Sequence, residues 1–232
     1  MKDNSVVVVD SFYANHLKRW IDVFLSIFAL TMLSPVLIII CLCELIFHGR
    51  PILYKTKRPG KDGKIFGLYK FRSMTNERGE DGMLLPEDKR LTKFGHFLRR
   101  TSLDELPELF NIVKGDMAII GPRPLLVEYL DLYSSRHAMR HCVRPGLACV
   151  RVKPSESKTW TWGEQFENDI YYIEHISFWM DIKMIIAVFK TAVKGSDTRS
   201  NDTRVPFDGH NLNETRSKEE IENVIRYDSV SK

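Results

Sequence analysis

The sequence predicts an α/β fold anchored to a membrane, and three observations carry that reading. An uncharged apolar run covers residues 23–43. The basic, aromatic-rich stretch that follows has the composition of a β-hairpin. Beyond it, apolar residues recur at helical spacing in several segments up to about residue 193.

At 232 residues, with 44% hydrophobic and 28% charged side chains, the chain is too apolar to be disordered, and 13 Gly and 10 Pro are too few for a fibre. Four Cys with no C-x-x-C pair exclude a disulfide scaffold, offer no zinc spacing and point to a reducing compartment. The net charge of +4 is unevenly spread: residues 48–100 hold fourteen Lys or Arg against six Asp or Glu, which leaves the remainder acidic. A basic block directly after an apolar segment suits anionic lipid headgroups, phosphorylated substrates or nucleic acid.

Residues 1–17 form a polar leader. The apolar run after them is long enough to cross ~30 Å of hydrocarbon as one helix. It is too long for the apolar part of a signal peptide and lacks a small-residue cleavage site. Ser34-Pro35 lies near its centre, where the Pro removes one backbone hydrogen bond and the Ser can satisfy a freed carbonyl, so a sharp bend is expected. Lys18 and Arg19 precede the run, and Arg50, Lys55, Lys57 and Arg58 follow it. Positive charge prefers the cytoplasmic side, so both flanks ask for the same side. A segment over 18–48 that enters, breaks at Ser34-Pro35 and returns meets that demand. A single span kinked at the Pro is the alternative these features leave open.

Residues 51–75 read as a hairpin turning at Lys61-Asp62-Gly63, and 76–89 as a polar loop. Helices are expected over 93–100, 107–113, 125–141 and about 177–193. The last carries Phe178, Trp179, Met184 and Ile186, with Lys183, Lys190 and Lys194 placed to snorkel, and fits either a bilayer interface or a core. These elements make up a cytoplasmic domain over 49–194. From residue 195 the chain is polar and offers little to bury, which predicts a mobile tail over 195–232 with one short helix near 218–226.

The densest chemistry lies in residues 98–124. Pro107 is comfortable only in a first helical turn, which puts a helix start near Leu103 or Asp104. Asp104 and Glu105 then sit at a helix N-terminus, where free N–H groups and the dipole stabilise anions. Consecutive helical residues point about 100° apart, so the two carboxylates can do two tasks, one attacking and one holding a cation. The same residues also read as a plain N-cap, with Ser102-x-x-Glu105 as a capping box. What favours the functional reading is the company of Arg99 and Arg100 upstream and Gly121-Pro122-Arg123-Pro124 downstream. Pro on both sides of Arg123 stiffens the backbone and fixes a planar guanidinium suited to phosphate.

Several motifs, taken in order, resemble the bacterial sugar transferases known as monotopic phosphoglycosyl transferases. They are Lys18-Arg19-x-x-Asp22, Arg58-Pro59-Gly60, Lys70-Phe71-Arg72-Ser73-Met74, the stretch from Thr101 to Pro107, Lys114-Gly115-Asp116-Met117, Gly121-Pro122-Arg123-Pro124 and Arg144-Pro145-Gly146. The similarity covers about residues 15–194 and is greatest to the short, minimal members. It implies a monotopic membrane protein with an N-terminal re-entrant helix broken at Ser34 and Pro35, amphipathic interfacial helices and a small catalytic domain on the cytoplasmic face of the bacterial inner membrane.

The resemblance also implies a reaction: transfer of a sugar 1-phosphate from a UDP-sugar to polyprenyl phosphate with release of UMP, the first membrane step of glycan assembly. Asp104 is implied as nucleophile through a covalent aspartyl-phosphosugar, and Glu105 as a group that helps bind Mg²⁺. Arg58, Lys70, Arg72, Arg99, Arg123, Arg144 and Asp169 are implied as substrate-binding. Membrane lipid, a second copy of the chain and downstream glycosyltransferases are the expected partners. Many relatives continue after the Arg-Pro-Gly motif with a Trp-Ala-Gln-Val-Asn-Gly-Arg type of segment, whereas residues 147–159 here read differently, which bears on nucleotide or sugar binding. Nucleic acid is not an expected partner, because the basic block contains no nucleic-acid module and is interrupted by Gly, Pro and acids. A non-catalytic, membrane-tethered scaffold of a polysaccharide assembly complex is the rival reading.

Overall fold

The apolar run breaks where Ser34 and Pro35 stand. The computed structural model describes residues 9–149, 151–152, 161–194 and 206–213. A π-helical turn, Tyr13–Leu17, runs into α1, Lys18–Met32, and after Leu33 the chain restarts as α2, Ser34–Phe47. The two helical arms are bent by 64°. Pro35 falls in the first turn of α2, where its missing N–H is no loss, and Ser34 Oγ donates to the Thr31 carbonyl at 2.8 Å. Trp20, Phe24, Phe28, Ile38, Ile39 and Ile46 are all exposed. Among the described residues no single helix is long and apolar enough to cross a membrane, whereas the bent pair together meets that length and composition.

The expected hairpin is present as β1, Leu53–Pro59, antiparallel to β2, Ile65–Phe71, with Tyr54 opposite Lys70 and Arg58 opposite Phe66. The turn between them, Lys61–Gly63, holds Asp62 and Gly63 at φ of 56° and 70°. The polar loop after β2 contains one short helix, α3, Glu87–Arg90. Next come α4, Lys93–Thr101, α5, Glu108–Lys114, β3, Ala118–Ile120, α6, Ser135–Ala138, β4, Gly146–Ala148, α7, Trp162–Glu174, and α8, Phe178–Lys194. β3 and β4 pair in parallel, with Ala118 opposite Gly146. The mixture of helices and two small sheets agrees with the α/β class.

Four expectations need correction. The helix expected over 125–141 is three short pieces: a 3₁₀ helix Val127–Leu132, then α6, then a 3₁₀ helix Met139–Cys142. Ser134 accounts for the break, since its extended backbone and its hydroxyl, which accepts from the His137 N–H, start a new helix. The helix expected to begin near Leu103 begins instead at Glu108, after a 3₁₀ turn Leu103–Glu105 and with Pro107 as its N-cap. α7 was not anticipated, although Thr161 and Glu164 form a capping box at its start.

The fourth correction concerns the tail. Residues 206–213 do find something to bury, because Phe207 is 4% exposed and sits edge-on against Tyr129 and Phe166, with ring centroids 5.6 and 5.0 Å away. The short helix expected near 218–226 lies outside the described residues, as do residues 1–8 of the leader.

α7 forms the spine of the core. Phe166, Ile170 and Ile173 are fully buried, with Phe166 in the aromatic cluster around Phe207 and Ile170 and Ile173 packed with Ile120 of β3. α8 has two faces: Met184 is buried in that core, while Trp179 and Ile186 are exposed. Its polar tether is the buried Asp181, which accepts from Tyr13 Oη at 2.7 Å, Lys18 Nζ at 2.6 Å and Tyr172 Oη at 2.8 Å. Removing one partner of a buried charge pair typically costs about 3–5 kcal/mol. Asp181→Ala is therefore expected to lower the unfolding temperature in detergent by several degrees, whereas Glu80→Ala, in the exposed loop after β2, leaves it unchanged.

Candidate active site

The site begins with a break in the chain. α4 ends on Ser102, whose φ of 58° and ψ of 17° place it in the left-handed region, a conformation that costs an L-residue roughly 1–2 kcal/mol. The sharp turn it makes stops α4 and starts the 3₁₀ turn that carries Asp104 and Glu105, both buried. Ser102 closes that turn through its backbone, its carbonyl accepting from the Glu105 N–H at 3.2 Å, and the side-chain capping bond of the plain-cap reading is not formed. Glu105 is directed to cations instead.

Two elements bring those cations. β2 supplies Lys70 and the segment after β3 supplies Arg123, and Glu105 Oε1 accepts from Lys70 Nζ and from Arg123 Nη2, each at 2.7 Å. Lys70 Nζ also lies 3.2 Å from Glu108 Oε1, in the first turn of α5. Burial, then the charge of Glu105, pushes the Glu108 carboxyl up to about 7, against the pull of Lys70 and Arg123. The charge of Glu105 raises the Arg123 pKa in turn. A cleft opens here, lined by Arg58, Leu68, Lys70, Glu108, Arg123, Pro124, Gly146 and Leu147. Arg58, reaching it from β1, has a buried Nε with no hydrogen-bond partner among the described residues, and its pKa is lowered by burial and by the nearby Arg123. Three cationic side chains therefore converge on one cleft beside a pair of buried carboxylates, an arrangement that suits a multiply charged anion.

Local sequence explains the convergence. Asn111 of α5 is fully buried; its Oδ1 accepts from the Tyr69 N–H at 3.0 Å and its Nδ2 donates to the Gly67 carbonyl at 2.8 Å. That amide pairs with β2 as a short strand would, fixing Lys70 relative to Glu108. Gly146 is required by contact: a Cβ there would lie 2.1 Å from the Gly121 nitrogen. Its N–H donates to the Pro122 carbonyl at 2.9 Å, which sets the Gly121–Pro124 and Arg144–Gly146 motifs side by side.

The other residues singled out from the sequence lie around this centre. Arg99, near the end of α4, donates from Nε to Ser73 Oγ at 2.9 Å and pairs with Glu87. Arg72 is buried and donates to the carbonyls of His48 and Pro51 at 3.0 and 3.3 Å, a role in the scaffold rather than in the cleft. Arg144 donates from Nε to the Gly115 carbonyl at 2.9 Å, just past the end of α5. Asp169 is wholly buried and pairs with Arg140 at 2.6 Å. Of the segment that departs from the relatives, Leu147 lines the cleft, and residues 153–159 lie outside the described residues. Glu108, Asn111 and Arg140 were not singled out from the sequence. For Glu108 a signal existed, since it stands three residues after Glu105, the spacing that puts two helical side chains on one side.

Residues 13–195 match the family model described as bacterial sugar transferase. The chain is 40% identical over 186 residues to the uncharacterized sugar transferase EpsL of Bacillus subtilis (strain 168), a match that covers 80% of this chain and 92% of that protein. It is 38% identical over 192 residues to the UDP-glucose:undecaprenyl-phosphate glucose-1-phosphate transferase of Klebsiella pneumoniae, covering 79% of this chain and 41% of that one. It is 30% identical over 190 residues to the UDP-N-acetylgalactosamine-undecaprenyl-phosphate N-acetylgalactosaminephosphotransferase of Aeromonas hydrophila, covering 79% and 45%. The chain thus spans nearly the whole of the first relative and less than half of the other two.

Two expectations follow from the geometry. Ser102→Gly adopts the left-handed turn freely and keeps both stability and turnover, whereas Ser102→Val is destabilised by about 1–2 kcal/mol and loses activity; thermal unfolding with a turnover assay checks the pair. For Glu108, the folded pKa stands above its ordinary value of 4.5, so its stabilising contribution is complete below about pH 4.5 and is lost as pH rises through 7. Glu108→Gln removes that loss. Its unfolding temperature relative to the parent protein is expected to rise between pH 5 and pH 8 in metal-free buffer, and a difference that does not vary with pH would contradict the assignment.

Proposed function

The chain belongs to the bacterial sugar transferase family, and from that premise we propose that it transfers a sugar 1-phosphate from a UDP-sugar to undecaprenyl phosphate or a related polyprenyl phosphate. The observation that carries this reading is Glu105, bound to Lys70 and Arg123 at a cleft that Arg58 also lines, with the buried Asp104 next to it in the same turn and its charge acting on Arg123. A diphosphate needs such a set of cations, and a carboxylate can attack phosphorus only where that charge is neutralised.

In the proposed route an Asp104 carboxylate oxygen attacks the phosphorus nearer the sugar. The bridging P–O bond breaks and UMP leaves with the bond's electron pair, while the phosphosugar stays on Asp104 as an acyl phosphate. A phosphate oxygen of the lipid then attacks the same phosphorus. The bond to Asp104 breaks, the carboxylate is restored, and a polyprenyl-diphosphate sugar is formed. Lys70, Arg58 and Arg123 stabilise the equatorial oxygens in both steps, and Glu105 sets the two cations it binds.

Magnesium fits this donor set in a limited way. Glu105 and Glu108 offer hard oxygen ligands, and among the described residues no cluster of three His, Cys, Asp or Glu is built to hold an ion unaided. These residues would hold Mg²⁺ together with water and the diphosphate, whose charge the ion neutralises when bound. The 64° bend and the exposed apolar side chains of α1 and α2 support a re-entrant insertion into the cytoplasmic leaflet of the bacterial inner membrane, with the catalytic domain on that face. A first, membrane-committed step in assembling a surface glycan follows from the acceptor class.

The purified full chain in detergent with Mg²⁺ and a panel of UDP-sugars is expected to release UMP from a matching donor. EDTA stops the release and added Mg²⁺ restores it. Asp104→Asn is expected to lower kcat by about 10³-fold or more. Near-normal turnover in that variant would refute the assignment.

A further inference from the structure

Arg140 and Asp169 form a buried ion pair whose purpose is not explained by stability. Their side chains are 1% and 0% exposed, and Arg140 Nη2 lies 2.6 Å from Asp169 Oδ2. The same guanidinium donates from Nη1 to Tyr133 Oη at 2.9 Å and lies over the rings of Tyr133 and Phe166, 5.6 and 5.4 Å from their centroids. Buried ion pairs often contribute no more than an apolar pair of the same volume. Some other demand must favour a charge in this place.

The remaining bond of Arg140 supplies that demand. Its Nη2 donates to the backbone carbonyl of Arg123 at 2.9 Å. Arg123 lies between Pro122 and Pro124, and neither Pro has an N–H, so the segment is short of backbone donors with which to fasten itself. Two bonds from outside hold its carbonyls: Gly146 N–H on Pro122, and the Arg140 fork on Arg123. Asp169 orients that fork, and its other oxygen accepts from Cys149 Sγ at 3.4 Å, just after β4.

We propose that Arg140 and Asp169 are positioning residues of the cleft: Asp169 fixes the Arg140 fork, and Arg140 holds the Arg123 carbonyl so that the Arg123 guanidinium stays where a diphosphate binds. This rests on reading the cleft as a diphosphate site. It gives Asp169 an effect on the substrate through two intervening side chains rather than by contact, and it makes α7 the fixed reference for the anion.

The test uses the full chain in detergent, with inorganic pyrophosphate and UDP as probes in titration calorimetry, and thermal unfolding beside each titration. The double variant Arg140→Met/Asp169→Leu replaces the pair with apolar side chains. It is expected to keep the unfolding temperature within about 3 °C yet to bind pyrophosphate about tenfold or more weakly, because the Arg123 segment is released. If the double variant does not fold, Arg140→Lys carries the test, since it keeps a positive charge beside Asp169 but replaces the planar guanidinium, whose Nη1 is held by Tyr133 while Nη2 reaches both Asp169 and the Arg123 carbonyl, and the same weakening is expected. Arg123→Ala serves as the reference. Weak binding in Arg123→Ala with full affinity in the folded Arg140 variants overturns the positioning role alone. A parent protein that binds neither probe overturns the cleft reading and the proposal with it.

Discussion

A single carboxylate oxygen, Glu105 Oε1, lies 2.7 Å from both Lys70 Nζ and Arg123 Nη2, and the rest of the site is arranged to make that possible. A charge taken out of water is costly by several kcal/mol unless it is paired, so the buried Glu105 depends on Lys70 and Arg123, which stay partly exposed at the cleft. Their carriers are far apart in sequence: a hairpin strand, a 3₁₀ turn after a left-handed Ser, and a Pro-flanked segment after a short parallel strand. Phe66, Leu68 and Phe71 of β2 pack with Leu103 and Leu106 of the turn and with Ile119 of β3, and the interlocking charge sets the side chains at the edge of that apolar core. It also leaves cations which can turn from Glu105 to an incoming anion without first being gathered.

The bent helix pair grips the segments on both sides of Asp104. Arg19 of α1 donates to the carbonyls of Ile112 and Val113 at 2.6 and 3.0 Å, capping the C-terminal end of α5. At the far end of α2, His48 Nε2 lies 2.9 Å from Thr92 Oγ1, the group that caps the start of α4. α4 leads into the carboxylate turn and α5 leads out of it, so contacts from the pair bracket the turn on both sides. On the proposed function, that coupling fixes how deep the nucleophile sits relative to a lipid phosphate, which an enzyme working on a membrane-bound acceptor requires.

Much of this was legible in the sequence wherever one local rule decided the outcome. A Pro beside a Ser in an apolar run marked the helix break, and alternating aromatic residues around Lys61-Asp62-Gly63 marked the hairpin. The acid pair and Arg123 stood out by their setting, a helix start and a Pro-flanked turn, whereas Lys70 and Arg58 were nominated by the resemblance to the sugar transferases. What could not be read was decided by contacts distant in the chain. Arg72 and Arg144, implied as substrate-binding by the resemblance, donate to carbonyls of the scaffold, contacts set by where β2 and β4 come to lie. Phe207 sits in a polar stretch, and only the aromatic wall of Tyr129, Trp162 and Phe166 gives it somewhere to be buried. Ser102 gave no hint of a positive φ, because Gly or Asn is the residue expected in such a conformation.

The proposed transfer depends on covalent chemistry at one aspartate, and intact-protein mass spectrometry addresses it directly. The full chain would be mixed with a UDP-sugar that supports UMP release, in the absence of lipid acceptor, and quenched rapidly. The expected result is a mass gain of one phosphosugar, placed on Asp104 by fragmentation and removed when polyprenyl phosphate is added. UMP release with no adduct, or an adduct on a different residue, would contradict it.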